Sequence, residues 1–174
     1  MEWYYNILVP KVDIEWNEDR LLKVTYQSRA KYRAIVQKHA LYFKREMHYD
    51  FQQYEKNETP YDHGYVEYVA YIFLKDNLNL KSLNDKTDSL AIGSCCFRKR
   101  FIDGKNYYWS LDWIWLHPYF RHRKILSEHW ERFVNIFCGF YVEEPLSLEM
   151  EAFLKKVNWD NDYKKYVKTE LPIF

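Results

Sequence analysis

Four consecutive residues, Arg121, His122, Arg123 and Lys124, place basic or imidazole side chains just after an aromatic stretch that Pro118 closes. From there Ile125, Leu126, Trp130, Phe133, Val134 and Phe137 recur at helical spacing, so the basic run stands at a helix start. A helix start carries unpaired N–H groups and a partial positive charge, and therefore holds anions, phosphate above all. Arginine adds bidentate contacts to phosphate oxygens and lysine a point charge. Phosphate or pyrophosphate binding is one reading of this junction; a solvated basic surface is the other. His117 and His122 can act as acid–base groups or serve as turn and surface residues. Glu143 and Glu144 can meet a cationic substrate, act as a base or remain solvated.

The preceding stretch, "YYWSLDWIWLHP", reads as a long strand. Strict alternation gives Asp112 the face of Ile114 and Leu116, and sets Trp109, Leu111, Trp113 and Trp115 on the other. Rings in such a row pack under a helix or form a stacking platform. This strand forms a hairpin with "LAIGSCCFRKR" around a turn at Asp103-Gly104. Earlier, "RLLKVTY" and "YVEYVAYIFL" read as strands. Between them a helix over "RAKYRAIVQKHALYFKREMHYDFQQY" has Ser28 as its expected cap, with Tyr32, Ile35, Val36, His39, Phe43 and Met47 on one face. The polar stretch 75–89 reads as a loop. After the basic run come a helix from Arg121 onward, a short strand in "CGFYVEEP", a helix capped by Ser147 and a last short strand in "DYKKYVKTELPIF". This order makes a mixed α/β fold in one domain over 1–174.

The 26 basic and 25 acidic side chains nearly cancel, which speaks against a polyanion binder such as a nucleic-acid module. No apolar run is long enough to span a membrane, and "MEWYYNILVP" has no basic region of the kind that opens a signal peptide. Cys95, Cys96 and Cys138 have no disulfide-framework spacing, which fits a cytoplasmic location. Adjacent strand cysteines point to opposite faces and do not grip one metal.

"IWLHPYFRHRKILSEHW" resembles the cofactor-binding motif of the GNAT acyltransferase superfamily: an apolar strand, a Pro turn, then Arg/Gln-x-x-Gly-x-Gly/Ala at a helix start. Ile114, Trp115 and Leu116 match the strand end, His117-Pro118 the turn and Arg121 the leading Arg/Gln. Both glycines are replaced, by Lys124 and Leu126. The central hairpin and "CGFYVEEPLSLEMEAFLKKVNW" extend the resemblance over 64–159. It implies a mainly antiparallel sheet flanked by helices. It also implies acetyl-CoA as acyl donor and a primary amine as acceptor, with homodimers allowed. Pantetheine would lie along Ile114, Trp115 and Leu116. Phosphates would lie over Arg121, His122, Arg123, Lys124, Ile125, Leu126 and Ser127. Asp112 falls where the family carries a catalytic carboxylate; Leu154 stands where it carries a tyrosine acid. The missing glycines and tyrosine also fit a GNAT-like binding module without catalysis.

Overall fold

The computed structural model describes residues 7, 9–13, 19–76 and 89–171. The elements run β1 (Lys11–Val12), β2 (Leu21–Val24), α1 (Ala30–Met47), β3 (Tyr68–Asp76), β4 (Ser89–Phe101), β5 (Asn106–Leu116), α2 (Ile125–Phe137), β6 (Tyr141–Val142), α3 (Leu148–Lys156) and β7 (Lys168–Thr169). They form a mixed α/β fold: one sheet, mainly antiparallel, flanked by three helices. Strand order is β2-β3-β4-β5-β6, with β1 beside the start of β4 and β7 beside the start of β5. Among the described residues only the β5–β6 pairing is parallel.

Each face of the sheet carries its own core. Val24, Val36, Ala40, Tyr68, Ile72, Trp113 and Trp115 pack on the α1 side. Tyr71, Phe97, Trp130, Phe133, Phe137, Phe140 and Leu154 pack on the α2–α3 side. Cys95 and Cys96 divide between the two clusters, as alternation requires. Full burial of each large side chain contributes about 1.5–3 kcal/mol, so the two clusters fix the sheet between its helices. His39 on α1 is buried; its Nδ1 lies 2.7 Å from the Ser94 hydroxyl and its ring stacks on Trp115 at 5.1 Å. Burial, then the nearby Lys38 and His117 charges, holds its pKa down to about 3, so it is neutral in the core.

Several local expectations need correction. The first helix stops at Met47, not Tyr54, because His48 turns left-handed (φ 56°) and the His48 and Tyr49 amides close on the Arg45 and Lys44 carbonyls. Ser28 does not cap it. Its hydroxyl accepts the Thr25 N–H at 2.9 Å and shapes the turn before the helix instead. The second helix starts at Ile125, and 121–124 form the turn that leads into it. Ser147 does cap α3, accepting the Met150 N–H at 3.1 Å. Most of the loop expected over 75–89 lies outside the described residues, as do 172–174 of the last segment. Among the described residues no helix is long and apolar enough to cross a membrane.

The tryptophans do not share one face. Cys96 pairs with Trp113 and Phe97 with Leu111, so Asp112 is an extra residue in β5, a β-bulge. The bulge resets the alternation. Trp109, Leu111, Ile114 and Leu116 pack on the α2–α3 side, whereas Trp113 and Trp115 pack under α1. Asp112 also departs from the face of Ile114 and Leu116, because its partners Arg98 and Arg100 reach it from the α1 side, where Arg98 lies over the Tyr68 ring.

Gly93 pairs with Leu116 at the end of β5. A Cβ there would overlap the Trp115 carbonyl oxygen and come within 2.8 Å of the Leu116 side chain. Gly93→Ala should therefore cost about 1–3 kcal/mol of stability, read by denaturant unfolding, through displacement of this strand end.

Candidate active site

β5 and β6 run side by side for two residue pairs only, Ser110 with Tyr141 and Leu111 with Val142. One further bond, from the Glu143 N–H to the Leu111 carbonyl at 3.0 Å, closes the ladder. β5 then continues to Leu116 while the other chain turns away into α3. The sheet opens at this point, and a cleft of about 1460 Å³ fills the gap. By ladder alternation Ile114 presents its N–H and C=O to the open edge, since the His117 N–H pairs back to Ile92 on the β4 side.

The turn 121–127 forms one end of the cleft. His122 (φ 60°) and Lys124 (φ 62°) are both left-handed. This conformation favours glycine and costs other residues about 1–2 kcal/mol. Lys124 thus adopts the backbone geometry a glycine would supply. It is the residue before α2 and has no side-chain cap. The N–H groups of Ile125, Leu126 and Ser127 have no intrahelical acceptor, and left-handed residues beside them make an anion-binding concavity. Leu126 and Ile125 are half-buried against the α2–α3 core, so their side chains turn from solvent. His122, Lys124 and Ser127 are exposed. Arg123, also exposed, lies over the Tyr119 ring at 4.5 Å.

Arg121 is anchored differently. Its Nε donates to the Leu116 carbonyl at 2.9 Å, and its Nη2 to both Glu46 oxygens, at 2.9 and 2.7 Å. Glu46 also accepts the Trp115 Nε1–H at 3.0 Å. This ties α1, the end of β5 and the basic turn together, and commits much of the Arg121 guanidinium to a carboxylate. Sequence reasoning missed Glu46, since an acidic residue on an amphipathic helix has no local signal for a partner 75 positions away.

Two carboxylates flank the point where the strands part. Asp112 is saturated. Its Oδ1 accepts from Ser110 Oγ at 2.6 Å, its Oδ2 from Arg100 at 2.8 Å, and Arg98 Nε lies 3.4 Å away. All of these contacts are made within the fold, two of them with arginines of the neighbouring strand β4. Arg98 also bonds Glu58 at 3.2 Å and the carbonyls of Val66 and Gln53, binding the segment after α1 to the sheet. Glu143 is the opposite case. It is half-buried, and its Oε2 is buried with no partner. Burial, then the Asp112 charge, pushes its pKa up against the counter-pull of Arg100. Glu144 is exposed; Leu154 is buried core. Tyr163 packs on Tyr108 and Tyr141, and Tyr166 on Trp159, outside the cleft lining. Among the described residues no group of three or more His, Cys, Asp or Glu is arranged to hold a metal ion.

The sequence matches no family model, and no curated protein matches it.

Two measurements test this geometry. Lys124→Gly removes a left-handed side chain and should raise stability by about 1 kcal/mol in denaturant unfolding. Glu143 has a raised folded pKa, so its contribution to stability is present below the ordinary carboxylate value of 4.5 and is lost as pH climbs through the folded value. Glu143→Gln should therefore raise the melting temperature at neutral pH, with the gain vanishing below about pH 4.

Proposed function

We propose that this chain is an acetyl-CoA-dependent N-acetyltransferase that acts on a primary amine. The observation that carries the reading is one cleft with three parts: an unpaired strand edge, a left-handed cationic turn at one end, and a buried carboxylate oxygen without a partner where the strands divide. The residues fit a CoA thioester. Ile114 can bond the amides of a pantetheine arm as a neighbouring strand would. The amides of Ile125, Leu126 and Ser127, with His122, Arg123 and Lys124, can hold phosphates. Lys124 keeps the backbone shape expected of a glycine, and the inward Leu126 leaves its amide facing the turn.

Acetyl-CoA, when bound, supplies an acetyl group as a thioester. The ammonium would first lose one proton to solvent; Glu143 would accept the second as the nitrogen bonds the acyl carbon, and the thiolate released when the C–S bond breaks would carry that second proton away. A carboxylate pushed upward by burial suits this exchange better than an ordinary one. Asp112, saturated by Ser110, Arg98 and Arg100, acts as a positioning residue that holds the bulge and lends its charge to Glu143.

Calorimetric titration with acetyl-CoA should show saturable binding. Arg123→Glu should weaken it about tenfold or more, since one phosphate-facing charge is reversed. Glu143→Gln should leave that affinity intact while slowing acetyl transfer by about a hundredfold or more. Absence of binding at millimolar acetyl-CoA would overturn the proposal and leave a binding module of this shape.

A further inference from the structure

The Leu116 carbonyl stands two residues beyond Ile114 in β5 and faces the same open edge. It is already taken, because Arg121 Nε donates to it at 2.9 Å. The same guanidinium gives Nη2 to both Glu46 oxygens, at 2.9 and 2.7 Å. Glu46 Oε1 also accepts the Trp115 Nε1–H at 3.0 Å. One carboxylate in the last turn of α1 thus holds a side chain of the strand end and the arginine that covers that end. Its partners are well seated. Trp115 is 2% exposed, with its ring 5.1 Å from His39 and 4.9 Å from Tyr42. The Arg121 and Glu46 side chains are about two-thirds covered.

This arrangement disposes Arg121 poorly for phosphate. Two of its three guanidinium nitrogens are used, and an anion that approached it would meet the Glu46 charge alongside. His122, Arg123 and Lys124, by contrast, are exposed on the turn. What Arg121 does instead is join two parts of the cleft. The open edge at Ile114 and the amides of Ile125, Leu126 and Ser127 are connected by the segment 117–124, which holds a turn and a single short 3-10 helix. The bond from Arg121 back to Leu116 closes that segment on the strand end, and Glu46 holds the arginine in the rotamer that makes the bond.

We propose that Glu46 is a positioning residue for the CoA thioester and that it acts through Arg121. The pair fixes the spacing between the strand edge and the anion-holding amides, and Arg121 carries none of the ligand's phosphate charge. The inference rests on the acyl-CoA reading for the identity of the ligand. A ligand that bridges two half-sites binds more tightly when they are already spaced for it, because their ordering is then met in folding and not at binding. The consequence has a telling sign. Glu46 is a negative charge near a site for an anion, so Coulomb attraction alone makes its removal favourable to binding. Preorganisation makes its removal unfavourable.

The test is calorimetric titration of the full chain with CoA. Glu46→Gln keeps the side-chain shape and an acceptor for the Trp115 N–H. It should weaken CoA about threefold to tenfold despite the added net positive charge, the scale of ordering one arginine side chain. Arg121→Gln should weaken CoA by a similar factor, and it leaves α1 untouched, so the answer does not hang on the folding of one variant. The double variant should lose no more than Arg121→Gln alone, since the first residue acts through the second. Its net charge equals that of the unaltered chain, and its loss should persist at high salt, where exposed charges are screened. CoA affinity that Glu46→Gln leaves unmoved or tightens would overturn the inference, even where the melting temperature falls. Additive losses in the double variant, or a loss that high salt abolishes, would overturn it too, the latter by returning Arg121 to the phosphates. The two readings fail separately. No CoA binding by the unaltered chain removes the ligand and this role with it; CoA binding indifferent to Glu46→Gln removes the role and keeps the ligand.

Discussion

The Asp112 carboxylate is the contact on which the centre of this fold depends. It occupies the extra position in β5 and is gripped there by Ser110, Arg98 and Arg100. An ion pair this far from water gives little net stability against an apolar substitute, but loss of one partner leaves an uncompensated charge and costs about 3–5 kcal/mol. Its value is geometric. The bulge it occupies turns Trp113 and Trp115 under α1 and hands Ile114 and Leu116 to the α2 side. Without that reset, the strand would offer a different edge to the opening and a different ring to the α1 side.

Arg98 carries the same constraint outward. It reaches Asp112, Glu58 and two backbone carbonyls, so the segment that bears Tyr49, Phe51 and Gln53 is attached to the sheet beside the bulge. At the other end Glu46 does similar work, joining α1 to Trp115, Arg121 and, through Arg121, Leu116. The cleft is thus braced at both ends by arginine–carboxylate contacts that cross between elements, and its middle, along Ile114, is left open.

Much of this was legible in the residues. The hairpin of β4 and β5 was announced by two β-rich runs about Asp103-Gly104, and α3 by the Ser147 cap. The basic turn stood out because four such side chains follow a terminated strand. The bulge did not, because Trp109, Leu111, Trp113 and Trp115 already form an unbroken alternation and nothing local marks an inserted residue. Glu143 was visible as one of two strand-end carboxylates, but only the fold buries one oxygen of one of them. Gln53 and Phe51 were absorbed into a helix that in fact ends earlier, where His48 adopts a left-handed backbone that hydrophobic periodicity does not signal.

The parting of β5 from β6 also bears on self-association. A strand with bare N–H and C=O groups is an adhesive edge, prone to recruit another chain. Here the bare length is short, its last carbonyl is already covered by Arg121, and it lies recessed within a cleft rather than along the rim of the sheet. A thin, extended small molecule can reach it, whereas a second protein strand would need its neighbours to follow it into the gap. A recessed edge of this kind has room for a thin guest and little surface for edge-to-edge pairing.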